Sequence, residues 1–160
     1  MSTTNQSKKK VLVTGASGLL GVAAIEKFLA AGWEVVGVSR RKPELPSGRD
    51  IEFLSVDLRD EERARAAFEP LTDITHIAYT ALHEKPELVA GWSSKDQIET
   101  NNAMLRNVVE PIVHTASNFR HISILQGTKI YGVHLHPIPI PAQIPRLSHS
   151  LAWKPVRETG

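Results

Sequence analysis

The chain has 160 residues, 41% of them hydrophobic and 22% charged, and its 19 basic and 17 acidic residues leave a net charge of +2. These values are typical of one soluble globular domain, and so small a net charge does not indicate nucleic-acid binding. No apolar run approaches the ~20 residues of a membrane span, and no signal peptide is recognisable, so we expect a cytosolic protein. Because cysteine is absent, disulfides, a thiol nucleophile and cysteine-ligated metals are excluded.

Strand and helix patterns alternate along the chain after a polar leader, residues 1–9, that we expect to be flexible. Runs rich in β-branched residues predict five strands, at 11–14, 34–39, 51–56, 74–80 and 121–126. Apolar residues at helical spacing predict three helices, at 18–32, 60–68 and 95–110. The apolar face of the first would contain Leu20, Ala23, Ala24, Phe28 and Ala31, and that of the third Ile98, Ala103 or Met104, Leu105, Val108 and Val109.

Two residues are predicted to limit these helices. Gly32 follows the first helix and is a natural stop. Pro111 follows the third and should kink or restart it, because proline lacks the amide hydrogen that a helix interior needs. Strands separated by helices indicate an α/β fold, a Rossmann-type doubly wound parallel sheet in the order 3-2-1-4-5. Such a sheet binds its ligand at the carboxyl ends of the strands.

The strongest motif is VTGASGLLG, residues 13–21, which lies between the first strand and the first helix. Its glycines have distinct uses in a phosphate-binding loop: Gly15 permits the tight turn, Gly18 lets a pyrophosphate approach, and Gly21 lets the helix pack closely. Amide groups at the helix start would hold the phosphates. The candidate contacts here also include Ser17, Leu19 and Leu20. The alternative is a purely structural turn.

The end of the second strand indicates which dinucleotide would bind. An NAD site has an acidic residue there for the ribose 2′-hydroxyl, whereas this chain has Ser39, Arg40 and Arg41. A guanidinium suits a 2′-phosphate, because its planar fork can bind two oxygens. We therefore favour NADP(H), the alternative being that both arginines are ordinary surface residues. After the third strand, Asp57 and Leu58 could face the adenine; as an alternative, Asp57 could cap the helix that starts near Asp60.

Three stretches resemble the extended short-chain dehydrogenase/reductases, and more narrowly their progesterone 5β-reductase/iridoid synthase-like group. They are VTGASGLLG, VVGVSRRKP and, most specifically, ILQGTKIYGVH at 124–134. The resemblance implies NADPH-dependent reduction of an activated carbon–carbon double bond in a small enone or steroid-like carbonyl compound. It also implies that Gln126 lies near the nicotinamide, that Thr80 and Ala81 border the nucleotide, and that Lys129 is the catalytic lysine.

The sequence also departs from that group. The group's catalytic tyrosine follows the lysine on a later helix, whereas this chain has only Tyr79 and Tyr131. No Y-x-x-x-K pattern occurs, since Leu125 and Leu135 occupy the positions that would complete it. We therefore expect only the amino-terminal part of such an enzyme, with a sheet incomplete at its carboxyl side. A non-catalytic dinucleotide-binding module and a truncated inactive product remain alternatives.

The predicted organisation is a leader at 1–9, an NADP-binding domain at 10–132 and an irregular tail at 133–160 with five of the chain's ten prolines. The alternating Pro137, Pro139 and Pro141 could cover the open edge of the fifth strand or form a mobile polyproline-like loop. An uncovered edge predicts self-association. His134 and His136 have too few neighbouring ligands to indicate a metal site.

Overall fold

The structure, a computed structural model, describes residues 8–85 and 94–127. The described residues form five strands and three helices. The strands are β1 (Lys10–Thr14), β2 (Glu34–Ser39), β3 (Glu52–Ser55), β4 (His76–Tyr79) and β5 (His121–Ile124), and the helices are α1 (Leu19–Ala30), α2 (Glu61–Phe68) and α3 (Lys95–Thr115). The strands make one sheet in the order β3-β2-β1-β4-β5, and every pair is parallel. The predicted fold class and strand order are confirmed.

Both faces of the sheet are covered, which is why its central strands are continuously apolar. Successive side chains of a strand point to opposite faces. Val11 and Val13 of β1 accordingly pack under α1 with Ile25, whereas Leu12 packs on the other face against α2 and α3. The sheet edges are less buried: β3 and β5 contain no fully buried residue, and both are shorter than the sequence predicted.

The apolar face of α1 agrees with the prediction only in part, since Ala24 and Phe28 pack against the core but the other three predicted residues do not. Leu20, Ala23 and Ala31 are exposed, while Gly21 and Ile25 face the sheet. The close approach of Gly21 to the loop before the helix explains the difference, because it sets the rotation and brings the residue four positions later inward. The helix ends at Ala30, and Gly32 adopts a φ of +76° just beyond it.

The predicted restart of α3 at Pro111 is wrong, since the helix continues to Thr115. Proline removes one hydrogen bond, but Val108 and Ile112 on either side of it are fully buried in the core. Packing therefore outweighs the local defect. The predicted inward position of Ile98 is also wrong: Ile98 is 60% exposed, and its neighbour Gln97 is buried instead.

The chain divides into two compact units, residues 1–125 and 126–160. All the strands and helices above belong to the first, and the structure describes residues 126 and 127 of the second. The predicted boundary at 132 and the tail thus lie outside the described residues. Among residues 8–85 and 94–127, no helix has the length and apolar character needed to cross a membrane.

Candidate functional site

A cleft of about 300 Å³ lies where the carboxyl ends of β1, β2 and β4 meet the segment after β3. It sits at the point where the connections diverge, β1 leading to β2 on one side while β4 lies on the other. This switch point is the usual ligand crevice of a doubly wound sheet. The lining contains ten of the residues predicted for the nucleotide: Gly15, Ser17, Gly18, Ser39, Arg40, Arg41, Asp57, Leu58, Thr80 and Ala81.

Two glycines of the glycine loop are required for steric reasons, because a Cβ at either position would clash with backbone atoms. Gly15 has a φ of +67°, and a Cβ there would lie 2.9 Å from the amide nitrogen of Ala81. A Cβ on Gly21 would lie 2.7 Å from the carbonyl carbon of Gly15. Both distances are shorter than a side chain tolerates, so any larger residue would separate α1 from β1 or β1 from β4. The loop is closed by a 2.9 Å bond from the Gly18 amide to the Gly15 carbonyl.

No side chain caps the start of α1, so its first backbone amides lack hydrogen-bond acceptors within the helix. Its N-cap is Gly18, which has no side chain to accept a hydrogen bond, and its first turn contains no acidic residue. By contrast, α2 begins at a capping Asp60 and has Glu61 and Glu62 in its first turn. Helix starts favour negative charge, so α1 leaves at the cleft an amide-lined position suited to an anion.

The backbone of the two arginines after β2 is fixed from both sides. The Ser39 hydroxyl donates to the Arg41 carbonyl at 2.6 Å, and the Ser55 hydroxyl donates to the Arg40 carbonyl at 3.2 Å. Both arginines are exposed. Within residues 8–85 and 94–127, neither guanidinium forms an ion pair. They are therefore held at the cleft with their charges available to a ligand.

Asp57 makes an ion pair with Arg59, which also lines the cleft. The Arg59 Nη2 atom lies 2.6 Å from Oδ2, and its Nε lies 3.0 and 3.2 Å from the two carboxylate oxygens. Hydrogen bonds from Arg59 lower the pKa of Asp57 to about 2. The helix cap is a different residue: Asp60 accepts from the Arg63 amide at 3.1 Å. The alternative that Asp57 caps α2 is thus wrong.

The segment that follows β4 is fastened to α3. The Asn101 side chain accepts from the His83 amide and donates to the His83 carbonyl, both at 2.8 Å, and Gln97 accepts from the Lys85 amide at 2.9 Å. The Thr80 hydroxyl donates to the Thr14 carbonyl at 2.6 Å. These bonds hold one wall of the cleft in place.

Three predicted site residues of the first unit, Leu19, Leu20 and Gly21, do not line the cleft. Leu19 and Leu20 lie on the exposed first turn of α1, outside the lining, and Leu19 is 87% exposed. Gly21, in the first turn of α1, packs against the backbone of Gly15 and Ala16 in the loop. Gln126 follows β5 and belongs to the second unit. The proposed catalytic Lys129 lies outside the described residues, as do Tyr131, His134 and His136.

Sequence reasoning missed five residues of the lining: Val38, Arg59, Leu82, His83 and Met104. Two of them had a local signal, because Leu82 and His83 simply extend the predicted pair at 80 and 81. Arg59 could have been identified as a partner for Asp57 two residues earlier. For Met104 the helical spacing predicted an inward position, but its place at the cleft depends on how α3 packs on the sheet.

Similar proteins include (S)-8-oxocitronellyl enol synthase of Camptotheca acuminata, 30% identical over 151 residues, which cover 86% of this chain and 36% of that enzyme. The 3-oxo-Delta(4,5)-steroid 5-beta-reductase of Arabidopsis thaliana is 32% identical over 126 residues, or 75% of this chain and 31% of that enzyme. These relatives confirm the resemblance to the progesterone 5β-reductase/iridoid synthase-like group. The chain spans about a third of the length of these curated relatives.

Solved structures with the same fold include Bordetella bronchiseptica WbmH in complex with NAD+, with a TM-score of 0.66, 24% identity, and coverage of 87% of this chain and 45% of that one. The UDP-glucose 4-epimerase of Thermus thermophilus, in complex with NAD, has a TM-score of 0.51 and 29% identity, over 64% of this chain and 33% of that one. The model of the NAD dependent epimerase/dehydratase family matches residues 11–150. The chain belongs to the NAD dependent epimerase/dehydratase family.

Proposed function

We propose that the chain binds NADP(H) in the cleft between β1 and β4. The observation that carries this proposal is one cleft with two separate anion positions. One is formed by the glycine loop and the uncapped start of α1. The other is formed by Arg40 and Arg41 after β2. NADP(H) carries two kinds of phosphate that could occupy these positions, the pyrophosphate at the glycine loop and the 2′-phosphate at the arginines.

Preference for NADP(H) over NAD(H) is supported by the charges at the second position. No acidic residue stands at the end of β2 to bond a ribose 2′-hydroxyl, and Ser39 uses its hydroxyl to hold the Arg41 backbone. Three guanidiniums and one carboxylate line this end of the cleft. We assign the adenine to the surface formed by Asp57 and Leu58, whose backbone is fixed by a 2.9 Å bond from Asn107.

Titration calorimetry with NADPH and NADH tests this proposal. We expect NADPH to bind more tightly, by about 1.5–3 kcal/mol if one charged hydrogen-bonded contact to the 2′-phosphate accounts for the difference. Arg40→Ala should remove most of that preference, whereas Arg63→Ala, an exposed arginine on α2 outside the cleft lining, should not. Equal affinities in the wild type, or an Arg40→Ala variant with unchanged preference, would contradict the proposal.

We further propose that the chain supplies the cofactor-binding part of a reductase that acts on a small enone or carbonyl compound, as the names of its relatives suggest. NADPH would supply the hydride. Lys129 would act on the carbonyl oxygen, where negative charge develops. The described residues of the chain would bind and orient the cofactor. We expect this activity in the cytosol, which contains a pool of NADPH.

A second candidate, a dinucleotide-binding module without catalysis, is favoured by one observation on Tyr79. Its side chain is 6% exposed and packs in the core, so it cannot serve as the proton donor of the reaction. Tyr131 stands two positions after Lys129 and not on a later helix, as the resemblance requires of the catalytic tyrosine. We therefore expect no enone reduction by this chain, since losing one oxyanion donor costs about 10²–10³-fold in rate. NADPH oxidation with a simple enone is the measurement. Robust turnover that Lys129→Ala abolishes would reject this candidate.

A further inference from the structure

The Asp57–Arg59 pair has a geometry that most surface ion pairs lack. Three contacts of 3.2 Å or less join the guanidinium to both carboxylate oxygens, and the Arg59 amide donates to Oδ1 at 3.1 Å. The two residues are separated by one position in the chain, so little additional entropy is lost in forming the pair. Asp57 is thus committed to Arg59 in the ligand-free chain.

Arg40 lies in the same part of the cleft. Its positive charge acts on the Asp57 carboxylate, yet it forms no ion pair within the described ranges 8–85 and 94–127. Arg59 already occupies both carboxylate oxygens, which accounts for the missing ion pair between Arg40 and Asp57. Asp57 is the one acidic side chain in the cleft lining, and without Arg59 its carboxylate would be left with Arg40 as the cation that acts on it. A pair between them would compete with any phosphate for Arg40.

We propose that Arg59 is a positioning residue that occupies the Asp57 carboxylate and thereby keeps Arg40 available for the 2′-phosphate of the dinucleotide. This inference rests on the proposed function, because it concerns the arginine that selects NADP(H). It differs from a direct contact between Arg59 and the phosphate. If Arg59 contacted the phosphate directly, its contribution to phosphate binding would not depend on Asp57. In the proposed role, that contribution depends entirely on Asp57.

A double-mutant cycle on the full 160-residue chain tests that dependence. The probes are adenosine 2′,5′-bisphosphate and 5′-AMP, and the quantity compared is the ratio of their dissociation constants, in which contacts to adenine and to the 5′-phosphate cancel. We expect Arg59→Ala to reduce the preference for the bisphosphate about three- to fivefold, the effect of one exposed ion pair that must break before phosphate binds. In an Asp57→Asn background the same substitution should cause no loss.

Arg63→Ala is the matched control, because it removes the same charge from a residue outside the cleft lining whose side chain pairs with Asp60. It measures the general effect of lost positive charge. An equal loss from Arg59→Ala in both backgrounds would show direct contact with the phosphate and overturn the inference. An Arg59→Ala ratio no lower than that of Arg63→Ala would overturn it as well.

A second readout separates this inference from the proposed function. In ¹⁵N-labelled, ligand-free protein, the Nε–Hε resonance of Arg40 should shift in Arg59→Ala and return in Asp57→Asn/Arg59→Ala, because Arg40 pairs with Asp57 only in the first. If the wild type shows no preference for the 2′-phosphate, the proposed NADP(H) selectivity fails. In that case, an Arg40 resonance that is unchanged in Arg59→Ala would also reject the role of Arg59. A resonance that shifts in Arg59→Ala and returns in Asp57→Asn/Arg59→Ala would still support that role.

Discussion

Single residues at the glycine loop perform separable functions. A Cβ on Gly21 would meet backbone of Gly15 and Ala16, at 2.7 Å from the Gly15 carbonyl carbon and 2.9 Å from the Ala16 Cα. A Cβ on Gly18 would meet only the Gly15 carbonyl oxygen, at 3.3 Å. Backbone cannot move aside as a flexible side chain can. Gly21 therefore protects the packing of α1, while Gly18 leaves the cleft open.

Substituting these two glycines with alanine should separate stability from binding. We expect Gly21→Ala to lower the free energy of unfolding by roughly 1–3 kcal/mol or more, as overpacking does. Gly18→Ala should cost no more than about 1 kcal/mol, the disadvantage of alanine relative to glycine at an N-cap position, but it should weaken NADPH binding. Urea unfolding and titration calorimetry measure the two quantities. Similar losses of stability in both variants would contradict this assignment.

Tyr79 is a buried residue whose hydroxyl has no hydrogen-bond partner among the described residues. Its ring lies in the core with Val108 and Ile112 of α3. An unpartnered buried hydroxyl loses its hydration without compensation. Burial also raises the pKa of Tyr79 to about 12. The hydroxyl is thus a cost to the folded state, and removing it has a predictable sign.

We expect Tyr79→Phe to leave the free energy of unfolding at neutral pH unchanged or increased by up to about 1–3 kcal/mol, the desolvation penalty it removes. Between about pH 10 and 12 the unfolded chain loses the tyrosine proton while the folded chain keeps it, so the wild type loses stability as the pH rises. Tyr79→Phe should lose less over this range. Urea unfolding at several pH values provides the measurement, and a variant destabilised at neutral pH would disprove the assignment.

The helix α3 holds one wall of the cleft although it is not part of the glycine loop. It covers one face of the sheet through Met104, Val108 and Ile112. Gln97 and Asn101 lie four residues apart on the same face of this helix. Their side-chain amides make hydrogen bonds with the backbone of residues 83 and 85, as the backbone of a neighbouring strand would in a sheet. The helix thereby fixes the cleft wall that follows β4.

We expect Asn101→Ala to destabilise the chain by about 1–3 kcal/mol, because the His83 amide and carbonyl lose their partners. Asn102→Ala is the matched control, as it makes the same substitution at an exposed position of the same helix. Hydrogen exchange at the His83 amide should accelerate only in the first variant. Unchanged protection of that amide in Asn101→Ala would contradict the proposed role.

At the scale of the whole molecule, β5 is the outer strand of the sheet, as the sequence predicted. Ile124 and Leu125 at its end are 41% and 56% exposed. Among residues 8–85 and 94–127, no strand pairs with the outer side of β5. Apolar outer strands with free backbone groups can pair with another copy of the chain.

For an edge that the tail leaves uncovered, we expect the weight-average mass to rise with concentration in sedimentation experiments. Ile124→Lys should reduce this association, because a charged side chain at an edge disfavours pairing. Ile98→Lys is the control, since it places the same substitution at an exposed site of α3, away from the edge. A wild-type chain that stays monomeric at all concentrations, or equal effects of the two lysines, would reject the edge as the contact.

The sequence by itself determined the alternation of strands and helices, the parallel order of the sheet and the position of the glycine loop. These features depend on local periodicity and on short motifs, such as the glycines between β1 and α1. Such patterns can be recognised in the sequence without knowledge of any tertiary contact. The sequence also identified most of the cleft lining, in part because the carboxyl ends of parallel strands meet at one edge and, for Thr80 and Ala81, through the family resemblance.

Tertiary structure alone decided the rest. The rotation of α1 follows from the packing of Gly21 on Gly15, the continuation of α3 past Pro111 follows from burial of Ile112, and the fastening of the cleft wall follows from Asn101 reaching His83. The choice of Arg59 over Arg40 as the partner of Asp57 belongs here too. Each depends on distances between groups that no local pattern encodes, because close packing and paired charges are properties of neighbours in space.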